Sequence, residues 1–127
     1  MNILVVDDDE KVLEFLTQVF ASTKHKITKA KDGEEAFKIF KDQEFSVVIS
    51  DIRMPKMNGI ELLERIKNLE KGKYVDFIIL TGYSDVKNSM EALKLGAYEY
   101  FKKPFNPKRL LKTINRIEDK NSIFKIE

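Results

Sequence analysis

The side chains best equipped for chemistry are acidic and fall in two places. Asp7-Asp8-Asp9 follows the apolar run Ile3-Leu4-Val5-Val6, and Asp51 follows Val47-Val48-Ile49-Ser50. A hydroxyl and two ammonium groups follow further apolar runs in the same manner: Thr81, with Gly82, after Phe77 to Leu80, and Lys102 and Lys103 after Tyr98 to Phe101. Carboxylates brought together repel and take up protons unless a cation joins them. An all-oxygen donor set suits Mg²⁺, which keeps several waters and takes one or two carboxylates plus a phosphate oxygen. A lysine and a hydroxyl facing the same point suit the remaining phosphoryl oxygens. The chemistry implied is phosphoryl transfer, with charge shared between a metal ion and a lysine.

Four separate stretches must meet for that chemistry, so the elements between them matter. Short apolar runs alternate with stretches of helical period. Val12, Leu13, Leu16, Val19 and Phe20 share one helix face. Lys26 to Ala30 reads as a short polar strand at a sheet edge, where lysine discourages further pairing. Asp32, with Glu35 three residues on, caps a second helix through about Phe40, and Asn58 with Glu61 repeats the pattern before Leu62, Leu63, Ile66 and Leu69. Ser84 or Asp85 caps a helix carrying Val86, Met90, Leu93 and Leu95, which Gly96 ends. Asn106-Pro107 opens the last helix, with Leu110, Leu111, Ile114 and Ile117 on its apolar face. Strands apolar on both faces, separated by helices, make an α/β fold with a parallel, doubly wound five-stranded sheet and five helices. In such sheets ligands bind outside the carboxyl ends of the strands, where all the polar residues named above lie.

Composition narrows the classes. A chain of 127 residues is one domain's worth, with 43% hydrophobic and 35% charged residues, which excludes a disordered tail or a fibre. The net charge of +2 argues against a strongly basic nucleic-acid binder, and no recognition-helix pattern is present. The absence of Cys excludes disulfides, thiolate zinc sites and cysteine nucleophiles, and the single His25 excludes a multi-histidine metal site. Ile3 to Val6 is too short for a signal peptide or a membrane span, so a soluble, cytoplasmic domain without membrane contact is expected. Residues 1–118 are expected to form the domain and 119–127 a loose tail or the stub of a linker.

Four motifs in order carry a resemblance: Val5-Val6-Asp7-Asp8; Ser50-Asp51-Ile52-Arg53-Met54-Pro55-Lys56-Met57-Asn58-Gly59; Leu80-Thr81-Gly82; and Gly96-Ala97-Tyr98 through Lys103-Pro104-Phe105. Each is weak alone; in this order, each at a strand end, they resemble the receiver domain of response regulators over residues 2–118. The resemblance implies a flavodoxin-like sheet of strand order 2-1-3-4-5 and Asp51 as acceptor of a phosphoryl group from phosphohistidine. It implies Mg²⁺ held by Asp8, Asp51 and the backbone carbonyl of Arg53, with Asp7 acting through water or orientation. Lys103 would pair with Asp51 at rest and with the phosphoryl group afterwards, the Lys103–Pro104 peptide being cis. Gly82 would leave room beside the acceptor. Thr81 would donate to the phosphoryl group while Tyr100 turns inward, the two forming a coupled switch. The partners implied are a sensor histidine kinase or phosphotransfer protein, and a second copy or an output domain on the face of helix 4, strand 5 and helix 5. Arg53 and Tyr83 flank the site and are neither acids nor amides able to position attacking water, so slow self-dephosphorylation is expected.

Plainer readings stand beside these. Asp9 is an N-terminal helix residue, since that end favours negative charge. Lys102 faces solvent and Lys103 inward, because neighbours on a strand point to opposite faces. Tyr100 is balanced between a switch and plain packing, His25 is expected to be solvent-exposed, and Lys108, Arg109, Lys112 and Arg116 form a solvated face or a partner surface. A haloacid-dehalogenase-like phosphatase also uses an aspartyl phosphate, but its Asp-x-Asp-x-Thr or Val pattern fails here at Lys11. A nucleotide-binding module lacks its glycine-rich loop. A pseudo-receiver used only for interaction is the remaining alternative.

Overall fold

The computed structural model describes residues 1–82 and 86–126. The chain runs β1 (Asn2–Val6), α1 (Glu10–Phe20), β2 (Lys26–Ala30), α2 (Gly33–Asp42), β3 (Val47–Ser50), α3 (Gly59–Lys67), a 3₁₀ turn (Glu70–Gly72), β4 (Asp76–Thr81), α4 (Val86–Lys94), β5 (Glu99–Lys102) and α5 (Pro107–Ile126). All strand pairs are parallel and the order is β2-β1-β3-β4-β5, the doubly wound arrangement that the alternation of elements and the resemblance imply.

Successive residues of a strand point to opposite faces, and each face of this sheet receives its own set of helices. Leu4, Val6, Val48, Phe77 and Ile79 pack with Ala36 and Phe40 of α2, Leu62, Leu63 and Ile66 of α3, and Ala92 of α4. Ile3, Val5, Val47, Ile49, Ile78, Leu80 and Phe101 pack with Leu13, Leu16 and Phe20 of α1, and Leu110, Ile114 and Ile117 of α5. The side chains of Phe20, Phe40 and Phe77 are fully buried, so the two layers clamp the sheet and fix where its carboxyl edge lies.

The helix starts follow the capping pattern. The side chains of Asp9, Asp32 and Asn58 accept backbone N–H bonds from Lys11, Glu35 and Glu61, and Asn106 accepts from Lys108. Gly96 takes a φ of +107°, the left-handed geometry that closes α4. The expected cap at Ser84 or Asp85 lies outside the described residues. At the far end of α2, the Lys71 ammonium donates to the carbonyls of Lys41 and Gln43 at 3.0 and 2.8 Å, satisfying terminal carbonyls from another element.

Three expectations change. The third helix ends at Lys67 instead of reaching Leu69, and a 3₁₀ turn follows, in which a Cβ on Gly72 would lie 1.8 Å from the carbonyl oxygen of Ile66. His25 is half-buried: its Nδ1 lies 2.9 Å from the Met1 amino group and its ring sits edge-on to Phe20. Burial, the Met1 ammonium and Lys24 lower its pKa against the opposing pull of Glu118. Finally, α5 continues to Ile126, so secondary structure does not change at 118; no proline or glycine follows Pro107 to stop it.

Candidate functional site

The carboxyl ends of β1, β3, β4 and β5 are adjacent in the sheet, and the register places Val6 beside Ser50 and Ser50 beside Ile79. Asp7 and Asp51 therefore leave neighbouring strands side by side, tied by the bond from the Asp51 N–H to the Val6 carbonyl at 3.0 Å. One oxygen from each of Asp7, Asp8 and Asp51 lies within 4.8 Å of the other two. Asp7 is almost fully buried, Asp51 is half-buried and Asp8 is exposed, so the crevice grades from dry to wet.

Lys103 reaches this cluster from the end of β5, its backbone N–H bonded to the Thr81 carbonyl at 2.7 Å. Its Nζ lies 2.7 Å from Asp7 Oδ2 and 3.5 Å from Asp51 Oδ2. The resemblance pairs Lys103 with Asp51 and leaves Asp7 to water, whereas here the closer partner is Asp7. The physical reason is burial, since the drier carboxylate has the greater need of a cation. Burial alone would lower the lysine's pKa, but the hydrogen bond to Asp7 and the charges of Asp7 and Asp51 outweigh it and raise the pKa above the ordinary value.

Asp51 sits in the opposite balance. Burial pushes its pKa up; the Lys103 charge pulls it down, Asp7 pushes it up again, and the bond from the Ile52 N–H to Oδ1 at 2.8 Å pulls it down, leaving a net rise. One lysine does not neutralise three carboxylates. Mg²⁺ takes an all-oxygen set and keeps several waters, and the Asp7, Asp8 and Asp51 oxygens gathered within 4.8 Å of one another, with Asp8 facing solvent, are of that kind.

The other expected residues take their places around this point. Thr81 is buried at the end of β4, and Gly82 beside it is exposed, with the Lys103 side chain the nearest group to where a Cβ would stand, at 3.9 Å. The Lys103–Pro104 peptide is cis. Tyr100 is 40% exposed, turned outward, and Lys102 is exposed while Lys103 points in. Asp9 caps α1 and Arg53 is exposed. Tyr83 lies outside the described residues.

Two residues of the Ser50–Gly59 motif have supporting contacts that the sequence does not reveal. Asn58-Gly59 reads as turn chemistry, yet a Cβ on Gly59 would lie 2.1 Å from the Asp51 carbonyl oxygen, so this glycine lets α3 start directly against the acidic loop. Ser50 donates its hydroxyl to the same carbonyl at 2.8 Å. The glycine was visible in the sequence; its contact partner was not.

The match to the family described as the response regulator receiver domain spans residues 3–115. The chain belongs to that family. A receiver domain protein of Clostridium thermocellum superposes with a TM-score of 0.89 at 31% identity, covering 97% of this chain and 98% of that one. The receiver domain is 38% identical over 105 residues to regulatory protein AtoC of Escherichia coli strain K12, covering 83% of this chain and 22% of that protein. It is 36% identical over 124 residues to a probable transcriptional regulator, ycf27, of Porphyridium aerugineum, covering 95% of this chain and 50% of the other. The chain thus spans half or less of the length of these two curated relatives. As a receiver domain it is a signalling domain of two-component systems. Among the described residues no helix is long and apolar enough to cross a membrane.

Proposed function

We propose that this receiver domain is a phosphoacceptor switch in which Asp51 takes a phosphoryl group from a phosphohistidine on a sensor kinase or phosphotransfer protein. The observation that carries this reading is the meeting of Asp7, Asp8, Asp51 and Lys103 at one point, with a cation close to both Asp7 and Asp51. Asp51 Oδ2 attacks phosphorus, the P–N bond breaks, and its electron pair remains on the imidazole nitrogen, which then takes a proton from water. Oδ1 is held by the Ile52 N–H, which fixes the orientation of the carboxylate during the attack. Asp8, Asp51 and the Arg53 carbonyl would hold Mg²⁺, which would supply charge neutralisation to the phosphoryl oxygens.

Lys103 keeps Asp7 as its partner and offers its ammonium to the phosphoryl group arriving at Asp51, a short distance away. Thr81 donates its hydroxyl to another phosphoryl oxygen, and Tyr100 turns inward as Thr81 moves, changing the face of α4, β5 and α5 presented to a second copy or an output partner. We take residues 1–118 as the receiver unit and its setting as cytoplasmic, without direct nucleic-acid contact. The test is labelling by acetyl phosphate with Mg²⁺: wild type gains one phosphoryl group, and Asp51→Asn gains none. Label persisting in Asp51→Asn would overturn the assignment and favour a phosphatase-like use of Asp7, and no label in wild type would leave an interaction-only module.

A further inference from the structure

At the pole opposite the acidic crevice, Asp76 opens β4 with its side chain about nine-tenths buried. One carboxylate oxygen accepts from Lys120 Nζ at 2.8 Å, and the other is buried without a hydrogen-bond partner among the described residues. Lys120 also lies over the Tyr98 ring, 5.1 Å from its centroid. A second ammonium is held next to this residue: Lys67 ends α3, is half-buried, and donates to the carbonyl of Val75, which directly precedes Asp76, and to that of Lys73. The buried carboxylate thus bonds one cation, while a second is bound at the carbonyl of the residue before it.

Lys120 lies beyond the part of α5 that is packed into the core. Among the described side chains, the buried apolar ones of α5 end at Ile117. Beyond it, Glu118 reaches the exposed Lys24 at 3.9 Å, Asn121 touches the Met1 sulfur at 3.8 Å, and Ile123 is 65% exposed. An exposed ion pair of that length contributes little, so Lys120–Asp76 is the one deep contact among these. Breaking a buried pair is costly because it strands a charge, unless another counter-ion is at hand.

We infer that residues 118–123 of α5 form a releasable arm, fastened to the sheet by the Lys120–Asp76 pair, with Lys67 as the standby cation that holds Asp76 when the arm lets go. The device is separate from the phosphoacceptor reading and does not depend on it. It gives the far end of α5 two states without unfolding the domain.

Amide hydrogen exchange on the full chain tests it. Lys120→Met is expected to speed exchange over residues 118–123 by about tenfold or more while residues 107–117 keep wild-type rates. Lys67→Met is expected to slow the arm's exchange, because release would then strand Asp76 without a cation. The double variant Lys67→Met/Lys120→Met is expected to lower Tm by more than the sum of the two single changes, because Asp76 then has no cation. Unchanged exchange in Lys120→Met, or loosening that spreads equally over residues 107–117, would overturn the arm. Additive Tm changes would overturn the standby role of Lys67.

Discussion

Asp51 shows how a single side chain can be kept uncomfortable for a purpose. Its net pKa rise means that the folded state holds the proton more readily than the unfolded one, so ionised Asp51 costs stability once pH is above the ordinary carboxylate value. Asp51→Asn removes that cost. In chelator at neutral pH, the variant is expected to melt a few degrees above wild type, at about 4 °C per kcal/mol for a chain of this size. The difference should vanish as pH falls below the carboxylate range, where both side chains are neutral; a lower Tm at neutral pH would show that the Lys103 contact outweighs burial. Lys103 has the opposite sign: its raised pKa stabilises the fold at all ordinary pH and is lost only in strong alkali. The types and positions of these residues were legible because each directly follows an apolar run. Their pairing was not, since the preference of Lys103 for Asp7 depends on which carboxylate is drier. His25 eluded the sequence for the same reason: its partners, Met1 and Phe20, are set by how β2 packs beside β1 and α1.

The elements were largely readable because the local signals agree with one another. The caps at Asp32, Asn58 and Asn106, the β-branched runs and the left-handed Gly96 each mark an end that the structure keeps. Disagreement arises where a distant contact decides. The 3₁₀ turn depends on Gly72 lying against Ile66, and the length of α5 beyond Ile117 goes with the reach of Lys120 to Asp76. Gly59 matters most here, because α3 starts against the backbone of Asp51. Gly59→Ala would force a Cβ onto the Asp51 carbonyl oxygen. It is expected to cost about 1–3 kcal/mol by denaturant unfolding and to slow acetyl-phosphate labelling as well, since relief requires the Asp51 loop to move. A stable variant labelled at the wild-type rate would show that α3 can back away without disturbing the site.

At the scale of the whole molecule, a parallel sheet clamped between two helical layers gathers the ends of four strands, and with them the charges, at one edge. Asp7, Asp8 and Asp51 gather at that edge with Lys103 close to two of them, and a divalent cation that binds the folded state alone should add to its stability. Mg²⁺ is expected to raise the Tm of wild type with concentration, by about 1.4 kcal/mol of added stability at ten times its dissociation constant, and to do so far less in Asp8→Asn. An equal rise in that variant would place the ion elsewhere. On the α4–β5–α5 side, Met90, Leu93 and Tyr100 are exposed. The position of the phosphoryl group is the property to measure. Borohydride reduction of acetyl-phosphate-treated protein, followed by peptide mapping, converts an acyl phosphate into an alcohol at the residue that carried it. Conversion confined to Asp51 is the expected result; conversion at Asp7 or Asp8, or an unmodified Asp51 in phosphorylated protein, would contradict it.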